Sequence, residues 1–222
     1  MNNGQADNTG QVTKAISYVK DGLFAVYYCK NQEVASEICS QNGSIIHRSG
    51  TIPDGIVKEY YTNGTLRKSV QFNGGNENGL GVEYYPSGDL FEENNYKRGV
   101  LHGPSKTYRQ DGTLWMEAFY KNGKLHGPFT SYHDNGSLEN KAEYASGKLH
   151  GSYIAYDKQG FVIEEGKFIR GKKQGIYRVY HDTGHPSRVE RYKQGILVSC
   201  EEFDDDGKTL GTTGVGRKYA GR

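Results

Sequence analysis

Residues 120–156 read YKNGKLHGPFTSYHDNGSLENKAEYASGKLHGSYIAY, and the pentapeptide GKLHG occurs in this stretch twice. The two copies occupy residues 123–127 and 147–151, so they are 24 residues apart. A fixed period of about 20–50 residues is typical of repeat architectures, in which neighbouring units stack to bury a common core. The stretch therefore predicts a repeat protein and defines the length of its unit.

The period extends without slippage over residues 55–198, which contain six copies of the pattern G-x4-Y-x3-G-x-L-x5-[FY]-x2-G-x3. In the last copy Pro186 replaces the apolar residue of this pattern. The recurring tyrosines are Tyr60, Tyr84, Tyr108, Tyr132, Tyr156 and Tyr180. The aromatic residues that close the units are Phe72, Tyr96, Tyr120, Tyr144, Phe168 and Tyr192.

Each unit is predicted to form a β-hairpin. In the first unit the strands are expected at residues 55–61 and 65–72, joined by the loop Thr62-Asn63-Gly64. A glycine at the end of such a loop supplies the left-handed backbone conformation that the hairpin needs. No helical periodicity competes with this interpretation. We therefore expect an all-β protein, a single-layer solenoid of antiparallel hairpins.

The even period gives the same alternation of side chains to every unit. If Tyr60 pairs with Leu66, then Tyr60, Leu66 and Phe72 are expected on one side of the sheet. Stacked rows of such side chains would stabilise each unit through its neighbours, so we expect single units not to fold alone.

The segments outside the regular repeats keep only fragments of the pattern. Gly22 and Tyr27 retain the spacing of glycine and tyrosine, and Phe203 and Gly207 retain that of tyrosine and glycine. Degraded units are typical of the ends of a repeat array. The expected organisation is a flexible polar arm (1–12), a degenerate cap (13–54), six repeats (55–198), a degenerate half repeat (199–210) and a flexible tail (211–222).

Composition excludes several functional classes. The net charge is +2, with 28 basic and 26 acidic residues interspersed, so no electrostatic footprint for nucleic acid is present. No apolar run of 18 residues predicts a transmembrane helix. The polar N-terminal sequence lacks the apolar core of a signal peptide. We expect a cytoplasmic protein, or an exported or envelope protein if Met1 was added to a mature chain.

Cysteine spacing suggests no disulfide framework, because the three cysteines are an odd number and are widely separated. A bridge between Cys29 and Cys39 is possible. The alternative is that all three cysteines, including Cys200, are reduced and act as small hydrophobic residues.

The candidate catalytic and metal-binding residues are explained better by structural roles than by catalysis or metal binding. His102, His126 and His150 recur at one slot of the unit, but neighbouring copies should lie on the order of 10 Å apart, too far to share one zinc ion. The segment 202–207 resembles the start of a calcium loop but lacks its final glutamate, so a turn is the better interpretation. Motifs of hydrolases, metalloproteases and phosphate loops are absent. We expect no enzyme activity, no metal and no cofactor.

The repeat unit resembles the MORN repeat, in the variant form found in bacterial proteins, and the segment YKNGKLHGPFTSYHDNGSL is very similar to that variant. The whole arrangement resembles the YwqK-type family, described as antitoxins or immunity proteins that are paired with secreted toxins. The resemblance covers residues 55–198. It implies a β-hairpin repeat that acts as a binding scaffold, with a toxin as its partner.

A set of large apolar residues lies on the sequence parity opposite Tyr60. Equivalent slots in other units hold Arg67, Glu139 or Ser105. Apolar clusters that are rimmed by charge often mark protein interfaces. They are also consistent with the inner lining of a curled sheet. The residues are Phe91, Trp115, Phe119, Phe129, Tyr153 and Tyr177, with Ile163 beside them.

The sequence favours a non-enzymatic scaffold that binds a protein partner through these residues. An alternative is a membrane-associated scaffold with lipid as the partner, although a one-sided basic patch is missing. A structural envelope protein is a further alternative.

Overall fold

The structure is a computed structural model that describes residues 11–19, 22–30, 32–40 and 45–214. These ranges contain strands and turns but no helix. The predicted all-β fold of antiparallel hairpins with a period of about 24 residues is confirmed.

The chain divides into two compact units, Met1–Gly112 and Thr113–Arg222. The first unit contains nine strands among its described residues. They are β1 (Val12–Val19), β2 (Gly22–Cys29), β3 (Gln32–Ser40), β4 (Ile45–Gly50), β5 (Gly55–Tyr60), β6 (Leu66–Asn73), β7 (Asn76–Tyr84), β8 (Leu90–Lys97) and β9 (Val100–Tyr108).

The second unit also contains nine strands among its described residues, and each strand pairs antiparallel with the next. They are β10 (Leu114–Lys121), β11 (Lys124–Tyr132), β12 (Leu138–Ala145), β13 (Lys148–Tyr156), β14 (Val162–Ile169), β15 (Lys172–Tyr180), β16 (Pro186–Lys193), β17 (Ile196–Phe203) and β18 (Thr209–Gly214).

The turn inside each repeat has the geometry that the sequence predicts. In the β5–β6 hairpin the Gly64 amide donates to the Tyr61 carbonyl at 2.9 Å, and the Tyr61 amide donates to the Thr65 carbonyl at 2.8 Å. Gly64 has a φ of 86°, in the left-handed region that residues with a Cβ atom rarely adopt. The predicted role of this glycine is therefore confirmed.

Hydrogen bonds connect the turns of consecutive repeats at both ends of the hairpins. The Tyr61 hydroxyl donates to the carbonyl of Tyr84, in the next repeat, at 2.7 Å. At the other end, the Gly147 amide donates to the carbonyl of Leu125 at 2.8 Å. These contacts agree with the expectation that neighbouring repeats stabilise one another.

The N-terminal strands depart from simple hairpin succession. Strand β1 pairs antiparallel with β2 and parallel with β5, where Val12 lies opposite Val57. A parallel pair needs a long crossover connection, and strands β2–β4 provide it. The segment after β4 brings Ile52, which is 1% exposed, into the core of this region. That core contains Val12, Ala25, Tyr27, Ala35, Ile52, Val57, Val70 and Phe72.

The expected arm and tail lie mostly outside the described residues, at 1–10 and 215–222. Two strands extend beyond the expected boundaries. Strand β1 begins at Val12, and β18 includes residues 211–214.

Candidate functional site

In each unit, one face of the sheet is more buried than the other. We call it the buried face of that unit, and its opposite the open face. Within each unit, strand alternation and register place the side chains of β5–β9 and of β10–β17 that are at most 7% exposed on the buried face. These side chains are Val57, Glu59, Val70, Phe72, Asn94, Ser105, Thr107, Ala118, Ser131, Ala142, Ala155, Tyr177, Glu190 and Cys200.

A β-bulge in each repeat changes which residues share a face. In the β5–β6 hairpin Tyr60 pairs with Leu66, as predicted, but Glu59 pairs with Lys68. Arg67 is therefore an extra residue in β6, and the alternation reverses there. The Arg67 side chain reaches the buried face, because it forms an ion pair with Glu59.

The bulge makes one prediction wrong. Phe72 pairs with Gly55 and is 4% exposed on the buried face, whereas Tyr60 is 45% exposed on the open face. Tyr60, Leu66 and Phe72 therefore do not share one side, because the extra residue shifts the parity between Leu66 and Phe72. The aromatic residues that close the repeats lie on the buried face.

The buried face of the second unit contains a groove of about 380 Å³. Four aromatic rings line it, together with the apolar side chains of Met116 and Ala142 and three polar side chains. The rings are those of Trp115, Phe129, Tyr144 and Tyr153. The polar side chains are those of Ser131, Glu139 and Asn140.

Register brings the groove residues together from four strands. Phe129 in β11 lies opposite Ala118 in β10 and Ala142 in β12, and Ala142 also lies opposite Tyr153 in β13. The small alanines leave space between the larger rings. The Phe129 and Tyr144 rings pack edge to face, with centroids 5.5 Å apart.

Of the six residues predicted to bind a partner, the structure brings three together in this groove: Trp115, Phe129 and Tyr153. Trp115 is 47% exposed. It occupies the bulge slot of its repeat, equivalent to Arg67, and this slot directs it toward the buried face.

The other three predicted residues lie elsewhere. Phe119 is on the open face, because its neighbour Ala118 pairs with Phe129 on the buried face. Tyr177 is only 4% exposed and packs between Phe168 and Tyr192. Because so little of its ring is accessible, it fits an internal packing role.

Phe91 belongs to the first unit, where it packs against Tyr85 with ring centroids 4.9 Å apart. Ile163, which sequence parity placed beside the predicted set, is 41% exposed in β14 and is not among the groove residues.

Hydrogen bonds hold the polar side chains of the groove. The Ser131 hydroxyl donates to Glu139 at 2.9 Å, and the Asn140 amide donates to the Ser131 oxygen at 3.1 Å. The Tyr153 hydroxyl lies 3.1 Å from the Asn140 side-chain oxygen and 3.2 Å from Glu164. Burial, followed by the charge of Glu164 and this hydrogen bond, raises the pKa of Tyr153 to about 12.

Sequence reasoning missed Met116, Ser131, Glu139, Asn140 and Tyr144. Parity counted through the chain without the bulge places Tyr144 on the face opposite Phe129. The repeated glycine turn that follows each tyrosine was the available signal, since bulges accompany three-residue hairpin loops.

Two other candidates from the sequence, Asp204 and His150, make contacts that indicate structural roles. The Asp204 carboxylate accepts the amides of Asp206 and Lys208, which supports the turn interpretation of this segment. His150 accepts the Arg170 amide at 3.4 Å. Among the described residues, no three His, Cys, Asp or Glu side chains are grouped so that they could hold a metal ion.

The Cys29–Cys39 disulfide is not formed in this structure. Cys39 and Cys200 are buried thiols. Burial raises the pKa of both, which keeps them protonated at neutral pH.

Comparison with known protein families finds a match over part of the chain. Four segments match the model of the MORN repeat variant. They are residues 53–73, 77–98, 101–122 and 125–146. The hairpins of β13–β16 continue the same period beyond the last matched segment.

MORN repeats are generally scaffold motifs that interact with proteins or membranes, and scaffolds of this family are typically non-enzymatic. No curated protein matches the sequence. Within the described ranges, no helix has the length and apolar character needed to cross a membrane.

Proposed function

We propose that this chain is a non-enzymatic repeat scaffold that binds a protein partner in the groove of its second unit. The observation that carries the proposal is the exposure of Trp115. Trp115 is 47% exposed although it lines the groove with three other aromatic residues. Tryptophan and tyrosine dominate the binding energy of protein interfaces, where they fill desolvated pockets.

The composition of the groove supports a protein ligand. Aromatic rings and apolar side chains make up most of its lining, and a hydroxyl, an amide and a carboxylate complete it. Protein interfaces likewise combine aromatic and apolar side chains with polar groups that form hydrogen bonds. A volume of about 380 Å³ is large enough for one or two side chains of a partner.

We further propose that the partner is a toxin and that the chain acts as an antitoxin or immunity protein. This narrower proposal is supported by the resemblance of the repeat array to YwqK-type proteins.

The test is capture of the partner by the tagged full chain, with identification by mass spectrometry and titration of the purified partner. Trp115→Ala should weaken binding by at least about 2 kcal/mol, the usual threshold for an interface hot spot. Phe161→Ala is the matched control, because Phe161 is 61% exposed in a turn and is absent from the groove lining.

Thermal melts of each variant separate binding from folding. Equal affinity of folded wild-type and Trp115→Ala protein would place the interface elsewhere. Binding to vesicles of phosphatidylcholine and phosphatidylserine that is lost in Trp115→Ala would instead support a membrane scaffold.

A further inference from the structure

The second unit contains an internal example of cation recognition. The Lys173 ammonium lies 3.3 Å from the ring centroid of Tyr177 and 5.1 Å from that of Tyr192. The same ammonium is 3.5 Å from the Glu190 carboxylate. Two tyrosine rings and one carboxylate therefore surround one lysine on the buried face.

The first unit contains a second example. The Lys68 ammonium lies 4.9 Å from the ring centroid of Tyr96, 2.8 Å from Glu77 and 3.3 Å from Glu83. Its side chain is only 18% exposed. The buried face thus places an ammonium group among rings and carboxylates in both units, where cation–π and ionic attraction act together.

The groove has the same aromatic frame without the lysine. Moving back two periods of 24 residues from Tyr177 and Tyr192 leads to Phe129 and Tyr144. Both pairs are edge to face, with centroids 6.5 Å and 5.5 Å apart. The same shift replaces Lys173 by Leu125 and Glu190 by Ala142. The ammonium and its carboxylate are therefore missing from these slots, and Ala142 lines the groove instead.

A different carboxylate is available in the groove. Among the described residues that line it, Glu139 is the one carboxylate, and no Lys or Arg is present. The Ser131 hydroxyl donates to this carboxylate, and both side chains line the groove together with the rings. Glu164 lies next to the groove, 3.2 Å from the Tyr153 hydroxyl. The groove therefore combines aromatic faces with negative charge.

We propose that the groove accepts the ammonium group of a lysine side chain from the protein partner, with Phe129, Tyr144 and Glu139 in the roles of Tyr177, Tyr192 and Glu190. This inference rests on the proposed function and specifies the chemistry of the partner. The attraction is local, because the whole chain has a net charge of +2 and does not attract cations in general.

The experiment titrates the full chain with the peptide Ac-Gly-Lys-Gly-amide. Trp115 is the only tryptophan of the chain and lines the groove, so its fluorescence reports binding at the site. Amide chemical shifts of 15N-labelled protein provide a second readout. The lysine peptide should shift both signals, whereas peptides with norleucine or glutamate in place of lysine should bind at least about threefold more weakly.

Two matched variants test the role of the carboxylate. Glu139→Gln keeps the shape of the side chain and an oxygen for Ser131 but removes the charge, and it should weaken lysine-peptide binding about three- to fivefold. Glu143→Gln removes the same charge from the same strand, but Glu143 is exposed and alternates to the open face. It should leave the affinity unchanged.

Equal binding of the lysine and norleucine peptides, or equal effects of the two variants, would overturn the proposal. Binding of n-butylammonium chloride as tight as that of the lysine peptide would also overturn it, because this would indicate a site for free amines. The proposed function is tested separately. A captured partner whose binding needs Trp115 but is unaffected by Glu139→Gln would support the scaffold and contradict lysine recognition.

Discussion

The N-terminal part of the first unit and the repeats of the second unit use β-strands to build different kinds of interior. In the first region, strands β1–β3, β5 and β6 and the Ile52 segment enclose one apolar cluster. In the second, the buried face carries rings over small residues such as Ala118, Ala142 and Ala155. The regular repeats therefore leave space between their rings, and a groove forms there.

The apolar cluster and the groove also differ in how the carboxylate beside each of them is held. In the first region Glu37 accepts hydrogen bonds from the Tyr27 hydroxyl and from Arg48, both at 2.7 Å. In the groove Glu139 is held by Ser131 alone among the contacts described above, and no basic side chain lines the site. The comparison teaches that a degenerate region can be the better packed one, and that within the repeats an open groove forms where a small residue such as Ala142 occupies a slot that holds a larger side chain elsewhere.

The largest expected effect tests the apolar cluster. Ile52→Ala removes a side chain that is 1% exposed, and it should lower the free energy of unfolding by about 2–5 kcal/mol. Ile46→Ala is the control, because Ile46 is 66% exposed in β4. Urea unfolding of both variants measures the difference. Equal midpoints would show that the segment after β4 is not part of a cooperative core.

The second effect tests the ring packing of the repeats. A Cβ atom at Gly166 would overlap the ring of Tyr177, which lies between Phe168 and Tyr192. Gly166→Ala should therefore lower the free energy of unfolding by about 1–3 kcal/mol, the usual cost of overpacking.

The matched control is Gly211→Ala in β18, where an added Cβ meets no atom within 4 Å. It should leave the free energy of unfolding, measured with urea, within about 0.5 kcal/mol of the wild-type value. If both alanine variants behave alike, the close approach of Tyr177 to the strand does not stabilise the second unit.

These differences explain which parts of the molecule the sequence predicts. The 24-residue period places the hairpins and the left-handed glycine at Gly64, because turn chemistry and strand alternation are local properties. The bulge at Arg67 and the equivalent slots is also local, but parity counted through the chain ignores it. That omission moved Tyr144 out of the candidate site and Phe119 into it.

The parallel pairing of β1 with β5 was not predictable from the period. It depends on which strand of the degenerate region buries most apolar surface against Val57, and this is decided by tertiary packing. The position of Ile52 follows from that pairing. Predicting the groove requires a correction of parity at each bulge. It also requires knowing which slots of the repeat hold alanine. For these reasons the sequence identifies only Trp115, Phe129 and Tyr153.

The third effect concerns alkaline pH and Tyr153. Burial and Glu164 raise the pKa of its hydroxyl from 10.0 to about 12. The folded state therefore keeps the proton longer than the unfolded state does. The stability from this group is fully present below pH 10 and is lost as the pH rises toward 12. Tyr153→Phe should lose less stability than the wild-type chain between pH 9 and pH 11.5, measured by urea midpoints. Parallel pH curves would contradict this role of Tyr153.

The smallest expected effect tests a difference between two repeats of the second unit. Asn122 and Ser146 occupy the same turn slot, with φ angles of 51° and 53°. Asparagine tolerates the left-handed region better than serine, and turns with two left-handed residues favour Asn-Gly. Ser146→Asn should therefore raise the free energy of unfolding by about 0.5 kcal/mol, and the reverse change Asn122→Ser should lower it by a similar amount. Differential scanning calorimetry of both variants measures the two shifts. Shifts of the same sign would show that contacts around each turn, rather than its backbone conformation, decide the preference.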